Sequence, residues 1–239
     1  MSLSARVLVT ITALAMPVTS VLVSPSSFET GPGQAITPPS LFFAIWGAII
    51  LGCLATAAAS WWRYQTPLFR AAAWPLVVAQ AGFSVWLVFA GLEAVNATAA
   101  AVGTVATFAV IVASLVVAMS RIRRVEGSPR WLVAGTVGLY AGWSSAAIWL
   151  NLVTCLPVSL AESPIVQSLG IVGAAVTVVV IIVRVRPYAA YVIAVVWALV
   201  GIALSAAQFR AWAPLVLAVL GVVVVSSAWF RAARLHRLP

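Results

Sequence analysis

The sequence predicts an all-α integral membrane protein with about eight transmembrane helices. Three observations carry that expectation. The 239-residue chain is 64% hydrophobic and only 7% charged, with a mean hydropathy of +1.15, too little polar surface to cover a soluble domain of this size. Apolar runs of roughly twenty residues recur between short polar breaks, each long enough to cross about 30 Å of hydrocarbon at about 1.5 Å per residue. The arginines, finally, sort to alternate breaks.

The runs lie at about 5–24, 39–61, 73–92, 98–120, 131–156, 165–183, 188–206 and 212–230. Lipid offers backbone groups no hydrogen-bond partner, so each run must be helical. The first follows Arg6 and carries Pro17, which is expected to kink it. It lacks an A-x-A site before Pro25 and therefore reads as a retained helix rather than a signal peptide. The second opens on Pro38 and Pro39. Before the fourth stands the triplet "NAT" at Asn96, too close to the membrane to be assigned a glycosylation role. The fifth contains "GLYAGWSSAAIWLN", an unusual cargo for a lipid-soluble helix. The last three are hydrophobic all round, with Tyr188, Tyr191 and Trp197 as aromatic exceptions, and are expected to pack against the first five.

Arg6, Arg63 and Arg70, Arg121 to Arg130, Arg184 and Arg186, and Arg231 to Arg237 all fall on one side of an eight-span arrangement, leaving Arg210 opposite. That asymmetry puts both termini in the cytoplasm. Glu29, Glu93 and Glu162 fall in the outer loops and Glu126 inside, so no carboxylate sits at mid-membrane, which weakens an ion-coupled pump.

The formal charge of +9 signals cytoplasmic anchoring, not a nucleic-acid partner. Lysine is absent, which excludes a retinal Schiff base. His236, Met16, Met119, Cys53 and Cys155 are too scattered to ligate haem iron or a metal, so no metal site and no resident cofactor is expected. The two cysteines read as small packing residues.

Of the eleven tryptophans, Trp61, Trp62, Trp74, Trp131, Trp212 and Trp229 lie near helix ends, where an amphipathic ring settles among headgroups. Trp46, Trp86, Trp143, Trp149 and Trp197 lie deeper. Counting from Pro39, Glu93 and Pro157 brings Trp46, Trp86, and Trp149 with Asn151 to a common depth of about 10 Å below the outer surface. On the fifth helix Trp143, Ala147 and Asn151 recur at intervals of four, so ring, methyl-sized gap and amide share a face. That face is either a ligand wall or a helix–helix contact with an asparagine bonding across it.

"LYAGWSSAAIWLN", through Tyr140, Trp143, Ala147, Leu150 and Asn151, resembles the fifth-helix signature of the translocator protein or tryptophan-rich sensory protein family (TspO/MBR), with Leu139 in place of a proline. "TPPSLFFAIWGAI", through Pro38, Pro39, Phe43, Trp46 and Gly47, is similar to its second helix. "AQAGFSVW", through Gln80, Phe83 and Trp86, is similar to its third, and "AMPVTS" around Pro17 to its first. Four departures fall on the prospective pocket: Ser84 replaces an asparagine, Trp86 stands one residue nearer to it than in the family pattern, Ile49 and Ile50 replace Leu-Tyr, and no tryptophan shortly precedes the proline pair.

The resemblance implies a five-helix bundle over residues 1–157, followed at 158–239 by three additional helices and a basic cytoplasmic tail. It implies a membrane receptor or sensor that binds a flat hydrophobic molecule, such as a porphyrin, haem or sterol. The site would comprise Pro38, Pro39, Phe43, Trp46, Gln80, Phe83, Ser84, Trp86, Tyr140, Trp143, Ala147 and Asn151. A facilitated carrier of tetrapyrroles is the alternative. A light-dependent porphyrin-oxidising enzyme acting through Trp143, or a scaffold, is a further one, although the chain offers no conventional acid, base or nucleophile and no catalytic residue is assigned. The remaining expectations are a bacterial cytoplasmic membrane, lipid as partner, and a homodimer supported by the alanine-rich third helix.

Overall fold

Local chemistry sets the helix boundaries in the computed structural model, which describes residues 1–23, 35–63, 65–92, 95–125 and 131–234. The Ser2 hydroxyl accepts from Ala5 N–H at 3.2 Å and starts α1 (Leu3–Leu22). Pro38 and Pro39 lead into a 3-10 turn (Ser40–Ala44), which continues as α2 (Ile45–Trp62). Pro67 and Pro164 occupy the first turns of α3 (Pro67–Gly91) and α6 (Pro164–Val185), where a missing N–H costs nothing. Asn96 Oδ1 accepts from Ala99 N–H at 2.9 Å and caps α4 (Ala97–Arg123), which gives the residue of the "NAT" triplet a structural task. The remaining helices are α5 (Trp131–Thr154), α7 (Ala189–Gln208) and α8 (Trp212–Arg234), with a single turn at Val158–Ala161 before α6. No strand occurs among the described residues. Pro25, Glu29, Glu93, Glu126, Arg130, His236 and Arg237 lie outside them.

Among the described residues, seven of the eight long helices, all but α5, are long and apolar enough to cross a membrane. α5 is comparably long at 24 residues but is diluted by glycine, serine and threonine. Its place in the bundle explains the difference. It packs against α2, α3, α4, α6 and α7, and every residue from Tyr140 to Ala147 is buried. A helix that faces protein instead of acyl chains does not need an apolar exterior. Gly138 and Gly142 bring its backbone against α7: a methyl on Gly142 would run into the Tyr191 carbonyl oxygen, and one on Gly138 would lie 3.1 Å from Tyr191 N. This is the small-residue spacing that lets membrane helices approach closely.

α1 buries the stripe Ala5, Val9, Ala13 and Met16 and packs on α2 and α3. The helices extend beyond the apolar runs, so several arginines sit on helical turns rather than in loops. Arg121 and Arg123, Arg184, and Arg231 and Arg234 occupy the last turns of α4, α6 and α8, where a cation complements the helix dipole. Likewise α3 begins at Pro67, not near residue 73, and Trp74 lies two turns inside it. The Arg6 guanidinium lies 5.1 Å over the Trp61 ring and that of Arg123 5.5 Å over Tyr188, while Trp229 Nε1 donates to Pro187 O at 3.3 Å. These contacts gather the starts of α1 and α7 and the ends of α2, α4 and α8 at one end of the bundle. Arg210, in the turn between α7 and α8, belongs to the other.

Candidate ligand site

The site is built from the turn that precedes α2. Phe42 faces α7: its ring tilts on Trp197 at a centroid distance of 4.6 Å, and its carbonyl accepts from Trp197 Nε1 at 2.9 Å. Gly201 makes room for this docking, because a Cβ there would lie 2.8 Å from both Phe42 and Pro38. Pro38 is buried in that contact and Pro39 is half-buried beside it. With Phe42 turned to α7, Phe43 and Trp46, three residues apart, turn to α3 and α5.

Trp46 is the hub of a ring cluster. It stacks on Trp86 at 5.7 Å with an interplanar angle of 24°, tilts on Phe83 at 4.7 Å, and meets Tyr140 and Trp143 edge-on at 5.7 and 6.3 Å. Phe43 meets Trp143 edge-on at 5.6 Å, and Phe83 lies 5.7 Å from Trp86. Such pairs each contribute about 0.5–1.5 kcal/mol beyond burial. Rings from α2 and the turn before it, α3 and α5 are thus in mutual contact. Phe83, Trp86, Tyr140 and Trp143 are buried, whereas Phe43 and Trp46 are only half-buried.

The polar atoms of the cluster are unevenly satisfied. Tyr140 OH donates to Ala79 O at 2.7 Å. The Trp143 indole N–H and the Ser144 hydroxyl are buried without a partner among the described residues. A buried donor left open costs about 1–3 kcal/mol, so an acceptor placed beside it is favoured by a comparable amount.

The other residues expected here have different occupations. Gln80 Oε1 lies 2.6 Å from Thr12 Oγ1, and the Thr19 hydroxyl reaches Ser84 Oγ at 3.2 Å, so both of these α3 residues bond to α1. Asn151 Nδ2 donates to Ala147 O at 2.8 Å, folding its amide back onto its own helix. Ala147 is buried beside it. The deep tryptophans divide: Trp46, Trp86 and Trp143 share the cluster, Trp149 donates to Thr177 Oγ1 at 3.0 Å and packs on Gly173 of α6, and Trp197 holds Phe42.

Two members were not legible from the sequence. Phe108 of α4 backs Trp86 edge-on at 5.1 Å, an isolated ring amid alanine and valine with no spacing to single it out. Phe42 precedes a recognised residue, and only its docking on α7 separates the tasks of the two neighbouring rings.

A helical integral membrane protein with an intramembrane cluster of aromatic side chains is the class that this geometry defines. The chain belongs to the TSPO-like protein family, whose model matches residues 2–230 and so runs through α6, α7 and most of α8. Membership points to a role in binding, sensing or transport at the membrane. No curated protein and no solved structure matches the chain.

Proposed function

We propose that the protein is a membrane receptor for a flat hydrophobic ligand of the porphyrin, haem or sterol class, held against the rings of α2, α3 and α5. The observation that carries this reading is the buried Trp143 N–H without a partner among the described residues, set inside a ring cluster. Ring faces stack on a planar ligand, while an indole N–H in a low-dielectric site donates to a carboxylate or carbonyl on its edge. Phe43 and Trp46 are the members open to the outside. The ligand enters by turning Trp46 off the face of Trp86 and takes its place in the stack.

In this reading residues 1–157 carry the site and residues 158–239 brace it, through the grip of Trp197 on Phe42. The arginine-rich end is cytoplasmic, with both termini there, in a bacterial cytoplasmic membrane. A second copy would meet α3 along its outer face, where Trp74, Val78, Val85 and Val88 are exposed.

Titration of the full chain with protoporphyrin, read by quenching of tryptophan fluorescence, tests the proposal. Saturable quenching is expected, weakened by roughly fivefold or more in the Trp46→Phe, Trp143→Phe double variant, which loses the hub ring and the donor. Equal affinity in that variant, or the absence of saturable quenching with protoporphyrin, haem and a sterol competitor alike, overturns the reading.

A further inference from the structure

The outer surface of α7 and α8 carries an open groove of about 370 Å³, apart from the ring cluster. α7 lines it from Ala189 to Val200 and α8 from Ser226 to Phe230. Its walls present hydrocarbon and ring faces. Both indoles in it have committed their N–H groups inward, Trp197 to Phe42 O and Trp229 to Pro187 O. With Ser226 as the one polar side chain in the lining, the groove has little to offer a polar ligand.

Three features identify an occupant. From Ala189 to Val200 the groove runs about 16 Å at about 1.5 Å per residue, close to half of a hydrocarbon core of about 30 Å, the depth of a single leaflet. Trp229 and Phe230, in edge contact at 5.2 Å, stand at its arginine-rich end, the headgroup level that aromatic rings favour. On α8 Ser226, Phe230 and Arg234 follow at intervals of four, so helical periodicity carries the groove face directly onto an exposed arginine, with exposed Arg231 beside it. The Trp229 bond to Pro187 also brings the turn containing Arg186 alongside.

We infer that this groove is a site for an anionic phospholipid of the arginine-side leaflet, one acyl chain lying between α7 and α8 and the phosphate meeting Arg234. A channel one leaflet deep, apolar along its length and basic at its mouth, matches the two halves of such a lipid. A zwitterionic lipid satisfies the groove but gains less from the arginines.

Native mass spectrometry of the full chain in detergent, with phosphatidylglycerol and phosphatidylcholine of matched chains at equal mole fraction, tests this. The wild-type protein is expected to retain phosphatidylglycerol preferentially. Arg234→Gln is expected to cut that retention by about fivefold, the worth of one arginine at a membrane surface, and to leave phosphatidylcholine unchanged. Val196→Trp, which fills the groove, is expected to reduce both lipids. Arg63→Gln, at the same end but at the C-cap of α2, is expected to change neither. Equal retention of the two lipids, an equal loss with Arg63→Gln, or no effect of Arg234→Gln overturns the inference. Conversion of a dimer to a monomer by Val196→Trp with lipid retention intact also overturns it, because a second copy of the chain is then the occupant.

Discussion

The indole N–H of Trp197 donates to the carbonyl of Phe42 across 2.9 Å, and the two rings tilt together at 4.6 Å. A helix near the end of the chain thereby holds the turn that sets Phe43 and Trp46 against α5. The three C-terminal helices are joined to the candidate site by a specific contact as well as by general packing.

Replacing Trp197 by Phe keeps a ring but removes the donor. A loss of about 1 kcal/mol in stability is expected, read as a lower thermal midpoint in detergent. Trp212→Phe, at an exposed position, is expected to stay within about 0.5 kcal/mol of wild type. Equal shifts in the two variants would contradict a specific role for the Phe42 contact.

The approach of α5 to α7 makes Gly142 intolerant of a side chain. Gly142→Ala drives a methyl into the Tyr191 carbonyl and is expected to cost about 1–3 kcal/mol in overpacking. Gly135→Ala, on the same helix with nothing within 4 Å of the added carbon, is expected to be neutral or slightly stabilising. Chemical unfolding of the pair in mixed micelles distinguishes them, and a destabilised Gly135→Ala with an unaffected Gly142→Ala would place the close contact elsewhere.

Thr12 and Gln80 form a polar contact between α1 and α3. Thr12→Val leaves the Gln80 amide without that partner and is expected to destabilise by about 0.6–1.7 kcal/mol, the range for such bonds in membranes. The Thr12→Val, Gln80→Leu double variant should recover much of that loss, since no buried polar group is then stranded. A double-mutant cycle that returns no coupling energy would remove the contact from the account of how α1 is held.

Tyr140 and Trp143 lie one turn apart but predict opposite responses. Tyr140→Phe removes a satisfied hydroxyl and is expected to cost about 1 kcal/mol of stability while leaving porphyrin affinity unchanged. Trp143→Phe removes an open donor, which offsets part of the lost volume, so stability should stay within about 1 kcal/mol while affinity falls. Parallel melting and fluorescence titrations check the split. A Trp143→Phe variant that melts early and binds normally would make that residue a packing element alone.

Much of the fold was readable because the forces that set it act locally along the chain. The length of an apolar run against the bilayer decides a span, whereas the helix starts at Pro67 and at the Asn96 cap emerged only in the structure, because neither lies within an apolar run. Trp46, Phe83, Trp86, Tyr140 and Trp143 were legible as a group through family spacing, and they do come together. Asn151 was legible by its depth and Gln80 and Ser84 through the family resemblance, but neither sets the direction of a side chain. Gln80 and Ser84 turn to α1, and Asn151 bonds to its own helix.

The sequence by itself determined an eight-helix membrane protein, its arginine-rich end and the residue types at the candidate site, because hydrophobic length and charge are properties of each segment. Only the tertiary structure decided which indoles meet. Trp143 and Trp149 are six residues apart on α5, about 240° around a helix of 3.6 residues per turn, so one joins the rings of α2 and α3 while the other bonds to α6. The division follows from the rotation of α5, which its glycine contact with α7 helps to set, and no single segment contains that information.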